Sequence, residues 1–541
     1  MTIIRLLLVI VVATGFCGCS KSGSSNEPVP VPKQLTVKHW AVGSIANQEK
    51  YQDVPVNSSI RYEFSTPLDK ESATAGISLK SASGSSIPLA FTFLDGDSVL
   101  DISPSLPLDN LSLYDVELST ELKSKAGSRL QVPASISLLT SIDSSDKFPR
   151  VSDEELLTII QRQTFNFFWD FGHAASGMAR ERDNSGDLVT TGGTGFGVMA
   201  MLVGIHRNFI TRQEGVERVK KITDFLTSKA DRFHGAFPHW LSGATGKVIS
   251  FSENDNGADL VETSLLLQGL LTARQFFNGT DPVETALRNS ITTIYNSVEW
   301  TAFVPAGSNE LFWHLSPTSE FIMNMPVRGW NEALICYVLA ASSPTYPISK
   351  AVYENGWASN GAIKNGNSYY DVTLPLGPSQ GGPLFFSHYS FLGLDPTGLT
   401  DQYADYLQQV KAHSTIHYKY AQANPGRFFG YGPSVWGLTA SDDNELAYLA
   451  HSPSNDDGVV APTAAVSSIP FTPVQSMAAI RFYYYTLGDR LFGQYGFMDA
   501  FSLEDSWFSN SYLAIDQGPM IIMIENFRSG LLWDLFMSNP E

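Results

Sequence analysis

The hydrophobic and polar positions of this 541-residue chain change their period near residue 150. Before that point, Ser59–Phe64 alternates apolar and polar residues with period two, the pattern of a half-buried β-strand. Val99–Pro104 and Leu113–Leu118 repeat the pattern, and turn residues separate the segments at the spacing of a β-sandwich. The region 35–142 is therefore predicted to be a small all-β sandwich, with the role of a spacer or packing domain.

After a polar linker over 140–151, the apolar residues recur at helical spacing. The predicted helices are Glu154–Phe171, Thr194–Phe209, Arg212–Lys229, Asp259–Phe277, Val283–Trp300, Gly329–Ala341, Leu399–His413, Pro473–Leu487 and Pro519–Met537. Long loops between alternate helices favour a helical toroid with an active site at one end. An (α/α)6 barrel fits the size of the region 150–541, although periodicity alone does not separate it from another helical array.

The first 19 residues have the features of an export signal. Arg5 is followed by the short apolar run Leu6–Val12, and Gly18-Cys19 resembles a bacterial lipobox. We expect Cys19 to be lipidated and to anchor the protein to a membrane, with the Ser/Pro-rich segment 20–34 as a flexible tether. No Asp follows Cys19, which favours the outer membrane, at its periplasmic face or at the cell surface.

Composition narrows the classes of partner and cofactor. A net charge of −19 argues against nucleic acid and anionic lipid surfaces, and it suits a neutral substrate. The 12% of aromatic residues supplies flat faces of the kind that stack on sugar rings. Beyond the signal and Cys19, Cys336 is the remaining cysteine, so neither a disulfide framework nor a cysteine metal site is expected. We expect no metal and no cofactor, and a monomer.

The acidic group Asp255, Asp259 and Glu262 is the most informative pattern. These residues fall at i, i+4 and i+7, on one helix face, directly before an apolar run. Stacked like charges weaken a helix, whereas carboxylates with separated pKa values cleave glycosidic bonds. The alternative is a solvated acidic helix start that the helix dipole favours. It ranks second because His239-Trp240 lies just upstream and the following helix is too apolar for a surface.

Further candidates lie in three other groups of residues, and each has a structural alternative. Glu332 precedes an apolar run, which makes a purely structural role difficult to argue. Trp436 could fill a loop, Asp516 could cap a helix, and Glu525 could pair with a neighbouring arginine. The remaining candidates are Arg328, Trp330, His451, Asp456 and Gln517.

The segment Gly192–Gly197 has the composition of a phosphate-binding loop but not its pattern. No strand clearly precedes it, and it has neither the lysine of a P-loop nor the dinucleotide-binding spacing. Small residues that let two helices pack closely are the better interpretation.

The ordered motifs resemble the glucoamylase-like domain of glycoside hydrolase family 144 from about residue 150 onwards. They are Thr190–Gly197, Arg232–Trp240, Asp255–Thr263, Trp436–Asp442 and Ile515–Pro519. The resemblance implies an (α/α)6 barrel and hydrolysis of β-1,2-glucan to sophorose or short oligosaccharides. It also ties Asp255, Asp259, Glu262 and Glu332 to activity. The segments Phe64–Asp69, Asp101–Pro104 and Tyr114–Val116 resemble bacterial Ig-like modules.

The mechanism that we expect is inversion by two carboxylic acids. The pair is drawn from Asp259, Glu262 and Glu332, with Glu262 as the acid and Glu332 as the base. Asp255 would tune the charge or hold a sugar hydroxyl.

The predicted sugar-binding residues form a second set. The expected stacking residues are Trp240, Trp330 and Trp436, and the expected hydroxyl-binding residues are His239, Arg328 and Asp516. Gln517, His451, Asp456 and Glu525 complete the predicted site. Two alternatives stay open: an α-1,4-glucan exo-hydrolase of the glucoamylase type, and a glycan-binding lipoprotein without catalysis.

Overall fold

The computed structural model describes residues 33–445 and 447–541, which form two compact units. The first unit holds the described residues up to Leu108 together with Tyr114–Leu138. The second unit holds Asp109–Leu113 and Leu139–Glu541. The predicted signal, the lipidated Cys19 and the tether up to residue 32 lie outside the described residues.

The first unit is built from two five-stranded sheets. One sheet has the order β2-β1-β4-β8-β7 and the other the order β3-β10-β9-β5-β6. The elements are β1 Val37–Val42, β2 Ile45–Ala46, β3 Lys50–Val54, β4 Ile60–Phe64, α1 Lys70–Gly76, β5 Ile77–Ser81, β6 Ser86–Ile87, β7 Leu89–Leu94, β8 Val99–Pro104, β9 Leu113–Leu118 and β10 Ala134–Thr140. In β4 the side chains alternate between buried and exposed, as period two requires. The predicted β-rich region is confirmed.

The second unit is mainly helical. Its helices are α2 Asp153–Trp169, α3 Thr191–His206, α4 Arg212–Ser228, α5 Leu260–Phe276, α6 Pro282–Asn296, α7 Leu334–Ser342, α8 Lys350–Asn355, α9 Tyr406–Ala423, α10 Pro462–Ser467, α11 Pro473–Arg481, α12 Gly488–Leu491, α13 Ala514–Ser529 and α14 Leu531–Met537. Short strand pairs lie in the loops between them: β11 Leu188–Thr190, β12 Trp240–Ser242, β13 Val248–Ile249, β14 Ala258–Asp259, β15 His314–Leu315, β16 Ser368–Tyr369, β17 Val372–Thr373, β18 Ala440–Asp443, β19 Ala447–Ala450, β20 Phe492–Gly493, β21 Gly496–Phe497, β22 Phe501–Ser502 and β23 Trp507–Phe508.

Helices α3 and α5 cross at two glycines. A Cβ on Gly195 would lie 2.2 Å from the Leu265 carbonyl oxygen, and a Cβ on Gly269 would lie 2.1 Å from that of Gly195. The glycine-rich segment therefore allows two backbones to touch, as the packing interpretation predicted. Both helices are buried along almost their whole length, which places them in the core.

The start of α7 differs from the prediction. The sequence pattern predicts a helix from Gly329, but Gly329 has φ of +76°, a left-handed conformation that an α-helix does not continue through. The helix begins at Leu334 instead. Glu332 consequently lies in the turn that precedes the helix.

Two other predicted helices are displaced for local reasons. The helix predicted over 399–413 begins at Tyr406, because the side chain of Asp405 accepts a hydrogen bond from the Gln408 amide at 3.0 Å and caps it. The helix predicted over 519–537 begins at Ala514 and ends at Ser529, where Gly530 has φ of +74°. Among the described helices, none combines the length and the apolar character needed to span a membrane.

Candidate active site

A cavity of about 460 Å³ in the helical unit brings together several of the predicted site residues. Its walls include Glu262 and Glu332 together with polar and aromatic side chains from distant parts of the chain. The lining residues are Glu181, Arg182, Thr190, His239, Trp240, Phe251, Asp259, Val261, Glu262, Leu265, Trp313, Glu332, Phe385, Tyr389, Ala440, Tyr448, Ala450, Leu513 and Ile515.

Asp259 caps the N-terminus of α5. Its Oδ1 accepts hydrogen bonds from the amides of Val261 at 3.0 Å and Glu262 at 2.9 Å. The pairing of β14 with β15 places Asp259 opposite His314, whose Nε2 lies 3.5 Å from Asp259 Oδ2 and 3.3 Å from Asp255 Oδ2. The same β-pairing therefore brings an aspartate of the acidic group to a histidine that the sequence pattern did not indicate.

His239 is the second partner of Asp259. Its Nδ1 donates to Asp259 Oδ2 at 3.1 Å. Burial alone would lower the pKa of His239, but the charge of Glu262 and the hydrogen bond to Asp259 outweigh it and raise that pKa to about 9. Burial likewise opposes ionisation of Asp259, yet the hydrogen bonds from His239 and His314 hold the Asp259 pKa well below its usual range. The pair is thus an imidazolium beside a carboxylate.

Glu262 lies on the first turn of α5 and is 5% exposed. Its Oε2 accepts a hydrogen bond from the Gly192 amide at 2.6 Å and one from Thr190 Oγ1 at 3.4 Å. Burial raises the pKa of Glu262 above its ordinary value, while the charge of His239 and the amide of Gly192 act in the opposite direction. The Glu262 carboxylate is therefore held by two hydrogen-bond donors, the Gly192 amide and the Thr190 hydroxyl.

Glu332 enters the cavity from the turn before α7. Burial raises the pKa of Glu332 to about 7, and the charges of Asp259 and Glu262 add to the effect. No positive side chain contributes to that pKa shift. At neutral pH this carboxyl group is accordingly divided between its acid and its anion.

Aromatic rings form one wall of the cavity. The ring of Phe251 lies 4.5 Å from that of His239 and 4.6 Å from that of Trp240. Phe251 is 51% exposed, so its free face is open to a ligand. Such flat apolar faces suit the C–H faces of pyranose rings, as predicted for Trp240.

A second charged group, formed by Arg182 and three aspartates from the C-terminal part of the chain, borders the cavity. Arg182 donates to Asp442 Oδ1 at 3.1 Å, and the Asp442 amide donates to Asp499 Oδ2 at 2.6 Å. Burial and the charge of Asp442 raise the pKa of Asp499 to about 7. Burial and the charge of Asp499 also raise the pKa of Asp516. The predicted Asp516 therefore belongs to a buried carboxylic acid pair close to the lining residue Ile515.

Arg328 and Trp330 lie away from this cavity. They border a different depression of about 760 Å³, where Arg328 forms an ion pair with Glu310 at 2.6 Å. Trp330 is 5% exposed and packs against the rings of Trp357 and Phe391. The expectation that Trp330 stacks on a sugar and that Arg328 binds a hydroxyl in the acidic site is therefore corrected. Although Arg328 and Trp330 are within four residues of Glu332 in the sequence, they line a different depression.

Two other predicted residues are parts of the core. Trp436 is fully buried beside Tyr418, and its indole N–H points to the Gln475 carbonyl at 3.4 Å. Gln517 donates to the Phe497 carbonyl at 2.8 Å. These contacts correct the expectation of sugar binding for Trp436 and Gln517, because a fully packed side chain has no face left for a ligand.

Glu525 is also structural. It is fully buried and accepts two hydrogen bonds from Arg207 at 2.7 Å each, and one from Gln161 at 3.1 Å. A buried carboxylate that is paired with a bidentate arginine has its hydrogen-bonding capacity filled and is not accessible to a sugar. The expected role in substrate binding is corrected to a link between helices.

His451 directly follows β19 and Asp456 lies in the next loop, and neither residue lines the cavity. Asp456 accepts hydrogen bonds from the hydroxyl groups of Tyr420 and Tyr431 at 2.8 Å each. His451 is 1% exposed and faces Asp443 and Asp457. Direct sugar contacts are therefore not available to His451 in this arrangement.

Sequence reasoning missed several residues of the site. They are Glu181, Arg182, Phe251, Trp313, His314, Tyr389, Tyr448 and Asp499. The charged run Arg180–Asp183 could have indicated Glu181 and Arg182, because charged residues close in sequence to a buried helix need charged or polar partners. The missed aromatic residues follow no periodic pattern in the sequence, because the folding of the loops brings them to the cavity wall.

Two clusters among the described residues have the donor atoms of a metal site. One is His239, Asp255 and Asp259, and the other is Asp443, His451 and Asp457; in each, the donor atoms lie within 4.8 Å of one another. In the first cluster the histidine is cationic, so a metal ion would have to displace its proton.

Comparison with known proteins matches both units. The family model "Putative glucoamylase" matches residues 324–540, and the model "Bacterial Ig-like domain" matches residues 39–140. An exo β-1,2-glucooligosaccharide sophorohydrolase (non-reducing end) of Parabacteroides distasonis is 45% identical over 413 residues, which are 72% of this chain and 57% of that protein. The chain thus spans somewhat more than half of the length of this curated relative.

Two solved structures are similar over most of the helical unit or beyond. An endo-β-1,2-glucanase of Chitinophaga pinensis, in complex with sophorotriose and glucose, is 50% identical with a TM-score of 0.70, and the match covers 72% of this chain and 96% of that one. A β-1,2-glucanase of Parabacteroides distasonis is 36% identical with a TM-score of 0.71, over 93% of this chain and 73% of that one. The chain therefore belongs to the "Putative glucoamylase" family, as its resemblance to glycoside hydrolase family 144 predicted.

Proposed function

We propose that this protein is a glycoside hydrolase that cleaves β-1,2-glucan to sophorose or short oligosaccharides with inversion at the anomeric carbon. The observation that carries the proposal is that Glu262, on the first turn of α5, and Glu332, in the turn before α7, line one cavity with an aromatic wall. Two carboxyl groups on either side of a bound sugar are what hydrolysis of a glycosidic bond needs. The relatives that act on β-1,2-linked glucose support the linkage.

We assign Glu332 as the general acid and Glu262 as the general base, the reverse of the roles expected from the sequence. An acid must hold a proton near neutral pH, and burial raises the pKa of Glu332 to about 7. A base must be ionised, and Glu262 has an amide donor at 2.6 Å and the His239 cation nearby. Glu332 would protonate the glycosidic oxygen, and Glu262 would take a proton from the attacking water.

Asp259 acts on this reaction as a positioning residue. Its hydrogen bond to His239 at 3.1 Å keeps the imidazole charged and oriented, and its capping bonds fix the first turn of α5. The charged His239 in turn supports the anionic form of Glu262. Both effects serve the base, because they hold its carboxylate ionised and in place.

Incubation with linear β-1,2-glucan and, in parallel, with soluble starch tests the substrate. We expect release of sophorose or short oligosaccharides from the β-1,2-glucan and no glucose from starch. Anomeric NMR signals recorded during the first turnovers should show the α-anomer of the product. Glucose release from starch alone would favour the α-glucan exo-hydrolase, and binding without any release would favour the glycan-binding lipoprotein.

A substrate with a good leaving group separates acid from base. An aryl β-sophoroside with a nitrophenol leaving group needs little protonation, so Glu332→Gln should keep far more activity on it than on glucan. Glu262→Gln should lose both activities, because water activation is needed in each case. The opposite pattern would restore the roles that the sequence suggested.

The helical unit is proposed to be an (α/α)6 barrel. Helices α3, α5 and α13 are buried along most of their residues, whereas α4 and α6 each expose one face. An inner ring of apolar helices inside an outer ring of amphipathic helices produces this division. A crystal structure with six concentric helix pairs would establish it, and any other helix order would refute it.

We further propose that the mature protein is an outer-membrane lipoprotein that acts as a monomer. The basis is the lipobox-like Gly18-Cys19 after a short apolar run. Metabolic labelling with a radioactive fatty acid should mark the wild type and not Cys19→Ala. Cell fractionation, surface protease treatment and light scattering of the soluble form test location and oligomeric state separately.

A further inference from the structure

A second depression, of about 360 Å³, shares Arg182 with the active-site cavity. Its wall also includes Asp442, Trp507, Ser509 and Asn510. An aromatic ring beside a few hydrogen-bonding side chains is the composition of a site for a polar organic ligand. A ligand that is long enough to leave the cavity at Arg182 would therefore meet a second set of suitable side chains.

Arg182 joins a carboxylate of the cavity to a carboxylate of the depression. Its Nε donates to Glu181 Oε2 at 2.9 Å, and its Nη1 donates to Asp442 Oδ1 at 3.1 Å. Glu181 lines the cavity, whereas Asp442 lines the depression. The guanidinium has further N–H donors on Nη2, which makes no hydrogen bond among the described residues, so these donors can reach a ligand hydroxyl.

The β18–β19 hairpin borders both spaces. Ala440 and Tyr448 line the cavity, and Asp442 and Ala447 line the depression. Asp442 pairs with Tyr448 across the hairpin, and such pairs have Cβ atoms about 4.5–5.5 Å apart. Tyr448 is 45% exposed and offers an aromatic face on the cavity side. The two spaces are therefore close enough to hold neighbouring parts of one chain-like ligand.

Trp507 is the residue of the depression with an open aromatic face. Its neighbour Phe508 is already covered by protein, because it stacks on Phe501 and the Arg490 guanidinium lies 4.3 Å from its ring centre. Among the described residues, by contrast, no aromatic ring or cation packs on the partly exposed indole of Trp507. A flat apolar face with a polar N–H at its edge suits the C–H side of a sugar ring.

We propose that this depression is a distal subsite for a β-1,2-linked glucan chain, in which Trp507 stacks on a sugar ring beyond those in the cavity. The proposal rests on the proposed function, because it extends the same substrate. A cavity of about 460 Å³ is near the lower end of the size range for small-ligand sites, so a longer chain must continue outside it. Arg182 Nη2 and the exposed Asn510 amide would donate hydrogen bonds to the hydroxyl groups of that chain.

A distal subsite makes catalysis depend on the length of the substrate. Contacts with remote sugars supply binding energy that can position the reacting bond between Glu262 and Glu332. The value of kcat/KM should therefore rise with chain length until the chain reaches Trp507 and stay constant beyond that length.

Linear β-1,2-gluco-oligosaccharides, from the trisaccharide to the decasaccharide, test the subsite on the full-length protein. Trp507→Ala should lower kcat/KM on the longest chains by about three- to tenfold and leave the value for the trisaccharide within about twofold. Calorimetry in a Glu332→Gln background measures binding without turnover. There, Trp507→Ala should raise the Kd of the decasaccharide by the same factor.

Two conservative variants separate stacking from simple loss of volume. Trp507→Phe retains an aromatic face and should keep most of the preference for long chains. Trp507→Leu retains an apolar side chain without that face and should lose the preference, so it keeps the test valid if the alanine variant is unstable. Tyr346→Ala removes an exposed ring that lines neither space and is the matched control.

The length series also separates the subsite from the proposed function. Loss of kcat/KM by the same factor at every chain length in Trp507→Ala, or no loss at any length, would overturn the subsite and leave the proposed function standing. A wild-type protein that hydrolyses none of these chains would overturn the proposed function, and the subsite with it.

Discussion

Two groups with the same composition, one histidine and two aspartates, behave in opposite ways in this protein. In the active-site cavity His239 donates to Asp259, and its pKa is raised to about 9. After β19, neither ring nitrogen of His451 makes a hydrogen bond within the described residues, and the pKa of His451 is lowered by burial.

The difference between the two groups lies in their partners. Aspartates of both groups accept hydrogen bonds from backbone amides, but the cavity group also has a second histidine and a nearby glutamate, and so it stabilises an imidazolium. Around His451, two acids lie at ion-pair distance, Asp443 at 3.7 Å and Asp457 at 3.1 Å. The comparison teaches that the charge state of a histidine follows from the groups that surround it.

Removal of one aspartate from each group should give the largest contrast. We expect Asp259→Asn to lower kcat/KM on β-1,2-glucan by about 10²–10³-fold, because the variant disturbs the orientation of His239 and Glu262. Asp443→Asn should lower it by less than about tenfold, because this group does not touch the reacting atoms. Steady-state kinetics measure both. Equal losses would mean that the two groups are not functionally distinct.

The pH profile of kcat/KM gives the next largest effect. The acid must be protonated, and the Glu332 pKa is about 7, so activity should fall by about tenfold per pH unit above pH 7. The stability of the protein should respond to the same group. Because the folded pKa exceeds the unfolded one, the folded state is favoured by the proton below about pH 4.5 and loses that advantage as pH rises through 7. Glu332→Gln should therefore raise the melting temperature at pH 8 and not at pH 4; an unchanged difference would refute the shift.

Gly192→Ala tests the contact between α3 and Glu262. A Cβ at this position would lie 2.7 Å from Glu262 Oε2, so the carboxylate would have to move from its amide donor. We expect kcat to fall by about tenfold with a folded protein by circular dichroism. Ala200→Gly, in the same helix but away from Glu262, is the control for helix stability. Unchanged kcat in Gly192→Ala would mean that this donor does not matter.

Phe251→Ala should have the smallest effect. The exposed ring supplies stacking area, and its loss should raise KM by about three- to tenfold, the equivalent of about 1 kcal/mol. The turnover number should change little, because Phe251 does not hold the acid or the base. Tyr346→Ala removes a similarly exposed ring outside the cavity lining and serves as the control. A drop in kcat without a change in KM would contradict this role.

Local pattern predicted much of this architecture. Alternation in Ser59–Phe64 predicted a strand, and the acidic group predicted a helix start. The prediction that its three acids share one helix face was wrong, because Asp255 lies in the preceding loop, Asp259 is the N-cap and Glu262 alone is on the first turn. Glycines in α3 predicted close helix packing, which the contact of Gly195 with Leu265 bears out. These features depend on residues near one another in the chain, and short-range sterics and hydrogen bonding govern them.

Other expectations depended on contacts between residues that are distant in the sequence, and several of these were wrong. Trp436 and Glu525 are residue types that are common in sugar sites. In this protein Trp436 is packed in the core, and Glu525 accepts hydrogen bonds from Arg207. Trp330 stands two residues before Glu332 and yet packs against Trp357 and Phe391, away from the cavity that Glu332 lines. Residue type and proximity along the chain do not decide which way a side chain faces.

The sequence by itself determined the order of a β-rich and a helical region, the family, and the acidic group that begins α5. Only the tertiary structure decided that His314 pairs with Asp259, that Phe251 closes the wall and that Glu332 has a pKa of about 7. The physical reason is that backbone pattern is a local property, whereas burial, charge and donor geometry come from residues that meet only after folding.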